Sequence, residues 1–373
     1  MMRMIISTLA LVSTLGAAQA QQKVVNVYNW SDYIDTRALD EFTKETGIKV
    51  VYDTYDSNEG LETKLLAGKT DYDVVVPSAT FLQRQIQAGV YQKLDRAKLP
   101  NYKGLWPEVM QRLSAYDAGN QYAVNYMWFT TGIAYNVQKA EQRMAGKPLD
   151  SWATVFTPDN PKRFADCGVY MLDSPEDLFT AALKFLNVDP NSKKPDDIRK
   201  AGDALVRVKP NVKKFHSSEY INALANGDIC LAVGWAGDSF QARNRARESN
   251  NGVDINYVIP REGALMSMDN LAIPKDAPHV GEAYKFIDFL LRPEIAARNT
   301  AITNFANSVL ASKQFIDKEI LDNKSIYPND DVMKRLYTVS ANDIATQRVI
   351  TREWTRVRSE EHTSELQSRF GIS

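Results

Sequence analysis

Three stretches set a carboxylate among aromatic or apolar residues: Trp30-Ser31-Asp32-Tyr33, Trp235-Ala236-Gly237-Asp238, and Asp269 inside Met268-Asp269-Asn270-Leu271-Ala272-Ile273. An aromatic face attracts a cation with about 0.5–2 kcal/mol. A charge-assisted hydrogen bond to a carboxylate contributes about 1.5–3 kcal/mol. Rings and carboxylates together therefore suit an organic cation such as an amine. Asp269 carries the sharpest demand, because a charge among apolar neighbours is costly unless compensated, by an external cation or by an internal Lys or Arg. Taken singly, each residue also has a plainer use. Asp32 and Ser78 could cap helices, Asp238 could be a loop carboxylate, Asp173 and Glu176 suit a solvated helix start, and Trp30, Tyr33 and Trp235 could be core or rim aromatics.

Enzyme signatures are weak. Gly68-Lys69-Thr70 looks like the end of a phosphate loop, but Thr63 stands where its first glycine belongs and a helical pattern precedes it. No His pair has metal-ligand spacing, so neither metal nor cofactor is expected. A glycoside hydrolase also uses two carboxylates, which Asp32 and Asp269 match in residue type alone. With 45 Lys and Arg against 46 Asp and Glu, a net charge of −1 and no basic block, nucleic acid is not an expected partner.

The elements that must position these residues alternate. Val24 to Trp30 reads as a strand, Thr36 to Thr46 as a helix with Leu39 and Phe42 on one face and Gly47 as its stop. Ile48 to Tyr52 is a second strand, a helical segment ends near Gly68, and Asp73 to Val76 is a third strand. This βαβαβ order predicts an α/β fold with an open, mainly parallel sheet, whose ligands bind beyond the carboxyl ends of strands, where Trp30–Tyr33 and Ser78 lie. Ile255 to Ile259 reads as a later strand and Val280 to Leu291 as a helix ending before Pro293. Two lobes joined by crossing strands follow: 21–130 with about 260–308, and about 131–259 with about 309–357. That agrees with about 340 residues as a two-domain prior.

Both ends stand apart. Arg3, an apolar run from Met4 to Leu15 and Ala18-Gln19-Ala20 form a cleavable secretory signal over 1–20, too short to span a bilayer. The mature chain is expected in the periplasm, without membrane insertion. In that oxidising compartment, Cys167 and Cys230 are expected to form one disulfide rather than remain thiols. From Arg358 onward, Arg-Ser-Glu-Glu-His-Thr-Ser-Glu-Leu-Gln-Ser matches a translated short-read sequencing adapter, so 358–373 reads as an assembly artefact.

With these residues in view, the chain resembles the periplasmic putrescine/spermidine-binding proteins of bacterial ABC importers from about Val25 to Val357. Its markers are Tyr28-Asn29-Trp30-Ser31-Asp32-Tyr33, Val75-Val76-Pro77-Ser78, Tyr126-Met127-Trp128, His216-Ser217-Ser218, Leu224 through Cys230, and Gly234-Trp235-Ala236-Gly237-Asp238. The resemblance implies a two-lobed, type II binding-protein fold that closes about a hinge on a linear polyamine and presents it, as a monomer, to an inner-membrane permease. It implies ligand contacts from Trp30, Ser31, Asp32, Tyr33 and Ser78 in one lobe, and from Asp177, Trp235 and Asp238 in the other. Asp269 is implied as the main ammonium-binding carboxylate. Asp177 stands where Glu is usual, Ser267 where an aromatic is frequent and Phe305 where Tyr is frequent. The cysteine positions also resemble a pair in putrescine binders. The other readings are a polyamine sensor or scavenger without transport, and the carboxylate hydrolase.

Overall fold

The computed structural model describes residues 22–370, so the expected signal over 1–20 lies outside the described residues. The first lobe begins with β1 (Val24–Trp30), α1 (Thr36–Thr46), β2 (Lys49–Tyr55), α2 (Asn58–Ala67), β3 (Val74–Val75) and α3 (Ala79–Gln87). β1 pairs in parallel with both β2 and β3, which fulfils the expected βαβαβ unit. α1 forms where its period buries Ala38 and Phe42. Asp35 caps it, not Asp32, and Gly47 ends it at φ 69°, with its N–H donated to the Thr43 carbonyl. That left-handed conformation suits glycine.

After α4 (Pro107–Leu113), β4 (Ala123–Asn136) runs through both lobes. Its first part pairs antiparallel with β9 (Met266–Ala272) and β10 (Ala306–Asn307). Its last part pairs antiparallel with β7 (Leu231–Trp235) and β8 (Ile255–Val258). The expected lobe boundary near residue 130 therefore falls inside one continuous strand. β9 lies between β3 and β4, antiparallel to both, so the sheet is mixed rather than mainly parallel.

The second lobe follows β4 with α5 (Val137–Met144), α6 (Ala153–Phe156), α7 (Asp159–Lys162), β5 (Val169–Met171), α8 (Pro175–Phe185), α9 (Pro195–Val208), β6 (Lys214–Phe215), α10 (Glu219–Ala225), β7, α11 (Ala236–Ser249) and β8. β5 is parallel to β6 and β7. Buried Trp152, Phe156, Phe164, Leu178 and Leu205 form its separate core. Cys167 and Cys230 are joined as expected, with Cα atoms 5.6 Å apart and a sequence separation of 63. A loop of that length contributes roughly 4 kcal/mol in the chain-entropy account.

The chain returns to the first lobe through β9, α12 (Val280–Leu290), α13 (Pro293–Thr303) and β10, then continues through α14 (Lys318–Asp322), α15 (Asp330–Met333) and α16 (Ile344–Phe370). Phe286 and Phe289 of α12 seat on Phe42 of α1, with ring centroids 5.2 and 5.4 Å apart. The assignment of all of 309–357 to the second lobe does not hold. Ile316, Ile326, Tyr327 and Leu336 join the larger core, Val309 bridges Leu105, and Lys313 covers the Trp106 ring at 3.7 Å. α16 packs on the second lobe, Val357 and Trp354 joining its core, and elsewhere in this stretch Ser340 and Asn342 receive Lys193 while Glu319 pairs with Arg247 of α11. The backbone of α16 continues through the segment resembling an adapter. Among the described residues no helix is long and apolar enough to cross a membrane.

Candidate functional site

A cavity of about 740 Å³, its open mouth included, lies between the lobes and is lined by Trp30, Ser31, Tyr33, Ser78, Asp177, Trp235, Asp238, Ser267, Asp269 and Phe305. The structure thus brings together ten of the eleven expected ligand residues. Asp32 is the exception. It sits at φ 54° just beyond β1, and its half-exposed carboxylate pairs with Arg245 of α11 at 3.1 Å. It also does not cap α1.

Aromatic rings build the walls. Trp30 is fixed by donating its indole N–H to the Val76 carbonyl at 3.0 Å. The Trp235 ring meets it edge-on across the cleft, 5.8 Å between centroids, and lies 5.9 Å from Phe129. Phe305 stands against Tyr33 and Phe129, each at 4.9 Å.

Carboxylates occupy the space between these walls. Asp269 projects from β9 and accepts the Ser78 hydroxyl at 2.6 Å. Ser78 is the N-cap of α3 but makes no side-chain cap hydrogen bond, its hydroxyl being turned to Asp269. Burial pushes Asp269 up to about 7, against a lowering contribution from Ser78. Asp238, in the first turn of α11, accepts the Tyr220 hydroxyl at 2.8 Å, and burial likewise raises it to about 7. Asp177, in the first turn of α8, accepts the Thr131 hydroxyl, the Ser174 hydroxyl at 2.6 Å and the Trp235 indole N–H at 3.3 Å. Burial raises it as well.

Other lining residues escaped the sequence reading. Glu176 lies in the first turn of α8, as expected, but faces the cavity rather than solvent and is raised to about 7 by burial, against a lowering hydrogen bond from Thr80 and with Asp177 adding to the rise. Asp173, part-exposed beside it, pairs with Arg358. Asp56, Glu59, Phe81, Ser217, Ser218 and Ile221 complete much of the wall. Tyr220, which the sequence reading did not single out, is not a lining residue but supports two of them. Its hydroxyl accepts the Trp235 backbone N–H at 3.0 Å while donating to Asp238, so one phenol orients both an aromatic wall and a carboxylate. Gly234 permits this, since a Cβ there would lie 2.5 Å from the Tyr220 ring. None of the lining residues is Lys, Arg or His, so the internal cation that could have served Asp269 is not there.

The chain matches the model of the bacterial extracellular solute-binding proteins over residues 37–326. It belongs to that family. It is 48% identical over 348 residues to a putrescine-binding periplasmic protein of Escherichia coli (strain K12), covering 93% of this chain and 94% of the relative. It is 49% identical over 349 residues to a putrescine-binding periplasmic protein of Pseudomonas aeruginosa (strain UCBPP-PA14), covering 93% and 95%. Among solved structures, the substrate-binding protein of a spermidine/putrescine ABC transporter from Streptococcus pneumoniae superimposes with a TM-score of 0.73 at 27% identity, over 90% of this chain and 99% of that one. Members of this family bind solutes, and the two-lobed fold with an interlobe cleft is theirs.

Proposed function

We propose that this protein is a periplasmic solute-binding protein that captures a polyamine of the putrescine or spermidine kind between its lobes and delivers it, as a monomer, to an inner-membrane ABC permease. The observation that carries this is the lining itself: several buried carboxylates between aromatic walls, with no basic residue among the lining residues. Asp269 and Asp238 are suited to receive ammonium groups, Trp30 and Trp235 to flank the methylene chain, and Asp177 and Glu176 to take a further amine or hydroxyl. The relatives named for putrescine support the same class.

Charge-assisted hydrogen bonds at about 1.5–3 kcal/mol each, with cation–π contacts of about 0.5–2, are enough to offset ordering a flexible amine and reach roughly micromolar affinity. Ser267 in place of a ring leaves that end of the cavity wider, and Phe305 in place of Tyr leaves it without a hydroxyl. Titration calorimetry with putrescine, cadaverine, spermidine and agmatine tests the proposal. At least one amine should bind with micromolar affinity or better. Absence of heat with all four would overturn it.

A further inference from the structure

Gly237 occupies the first turn of α11, between the two second-lobe residues, Trp235 and Asp238, that face the cavity. A Cβ at this position would fall 2.3 to 2.5 Å from ring atoms of Phe305, far inside van der Waals contact. Phe305 follows α13 and belongs to the first lobe, so this contact crosses the cleft. Its ring is closely packed, being 2% exposed and flanked by Tyr33 and Phe129 at 4.9 Å each, and the room left to it is the ligand cavity itself. Close-packed interiors transmit such a clash rather than absorb it.

The same stripe of α11 continues at one-turn intervals. Gln241 donates from Nε2 to the Thr303 carbonyl of α13 at 3.1 Å, and Arg245 pairs with Asp32 at 3.1 Å. Residues four apart share a helix face, so Gly237, Gln241 and Arg245 form one row that meets the first lobe at increasing distance from the cavity. We propose that Gly237 is a positioning residue for ligand capture, the missing side chain letting α11 seat on the Phe305 ring and thereby setting how far the second lobe brings Trp235 and Asp238 over the ligand. Resting on the proposed polyamine capture, this adds a residue that acts without touching the ligand.

Local helix physics predicts the opposite sign, which makes the test discriminating. Alanine is a better helix former than glycine, so Gly237→Ala should stiffen α11 if nothing crosses the cleft. The clearance instead requires Gly237→Ala to weaken putrescine or spermidine binding about tenfold or more and to diminish the contraction in radius of gyration that ligand produces in X-ray scattering. Rescue separates positioning from misfolding. On a Phe305→Ala background, where the ring is gone, adding Gly237→Ala should change affinity less than twofold, a coupling visible in the double-mutant cycle. Equal affinity of Gly237→Ala and wild type, or the same loss on both backgrounds, overturns the inference. If wild type binds none of the four amines, the functional reading fails by itself. Scattering from the unliganded proteins then decides the inference: a larger radius for Gly237→Ala than for wild type, returning on the Phe305→Ala background, supports it, and equal radii overturn it.

Discussion

Asp35 and Asp269 are equally buried, each 2% exposed, yet they are provided for in opposite ways. At the start of α1, Asp35 receives the Arg37 guanidinium at 2.9 Å and that of Arg298, from α13, at 3.0 Å. Burial pulls its carboxyl up, but the hydrogen bonds from Arg37 and Arg298 outweigh this and hold it below the usual carboxylate range. In the cleft, Asp269 has a serine hydroxyl and no basic neighbour in the wall, and burial leaves it near 7. A buried acid whose cation belongs to the chain is a fastener. One without such a cation is suited to a charge brought from outside.

The largest expected effect breaks the second half of that contrast. Asp269→Asn keeps a partner for the Ser78 hydroxyl but removes the charge, and should weaken diamine binding by about 2–4 kcal/mol while the unliganded protein loses no stability. Asp238→Asn should act in the same direction. Calorimetry and thermal unfolding of the purified variants read both quantities, and unchanged affinity in both variants would remove the ammonium clamp. Asp35→Asn is the mirror experiment. It should cost about 2 kcal/mol of stability, less than a fully buried pair because both arginines reach solvent, with ligand affinity within about twofold of wild type.

Acidity sharpens the comparison with a smaller effect. Asp269 and Asp238 are raised in the folded, unliganded protein. Between about pH 4 and pH 7 the native state then holds protons that the unfolded chain has released, and stability at these two groups falls as pH rises. Asp35 has the opposite sign: its contribution is present above the unfolded carboxylate value, about 3.9, and is lost as pH falls through its lowered native value. Amine affinity, which needs ionised Asp269 and Asp238, should drop progressively below about pH 7 in titrations run from pH 8 to pH 5. The smallest effect belongs to Ser267→Phe. Restoring a ring should shift preference toward putrescine over longer amines by a few fold, and an unchanged ratio would free this position from any part in selectivity.

Legibility in the sequence followed the same division between local and assembled features. β1, α1 and the Gly47 stop were readable because period, cap and glycine lie within a few residues of one another. β4 was not. All fourteen of its residues are buried, so both faces are apolar and the alternation that betrays a half-exposed strand is missing. In the cleft, Trp30, Tyr33, Trp235, Asp238 and Asp269 were found because ring and carboxylate adjoin in sequence or because a charge interrupts an apolar run. Asp32 shared that adjacency, but its positive φ turns it toward Arg245, a direction no spacing records. Glu176 and Phe129 reach the cavity from separate elements, Tyr220 supports Asp238 and Trp235 from behind it, and only the folded chain makes them neighbours.

The place of β9 between β3 and β4 bears on how the molecule comes into being. Val75 must find Ala272 across almost the whole second lobe, so the first lobe cannot close its sheet until that later stretch has been made and exported. The second lobe has no such wait for its β5–β7 strands, although its closing helix α16 comes last. Contacts of such long range slow folding, since loop-closure entropy must be met before they form. The half of the protein that begins the chain should therefore be the last to become native, with its aromatic residues exposed in the interval, and refolding followed by tryptophan fluorescence should carry a slow phase from Trp30 and Trp128 after the Trp152 core has already formed.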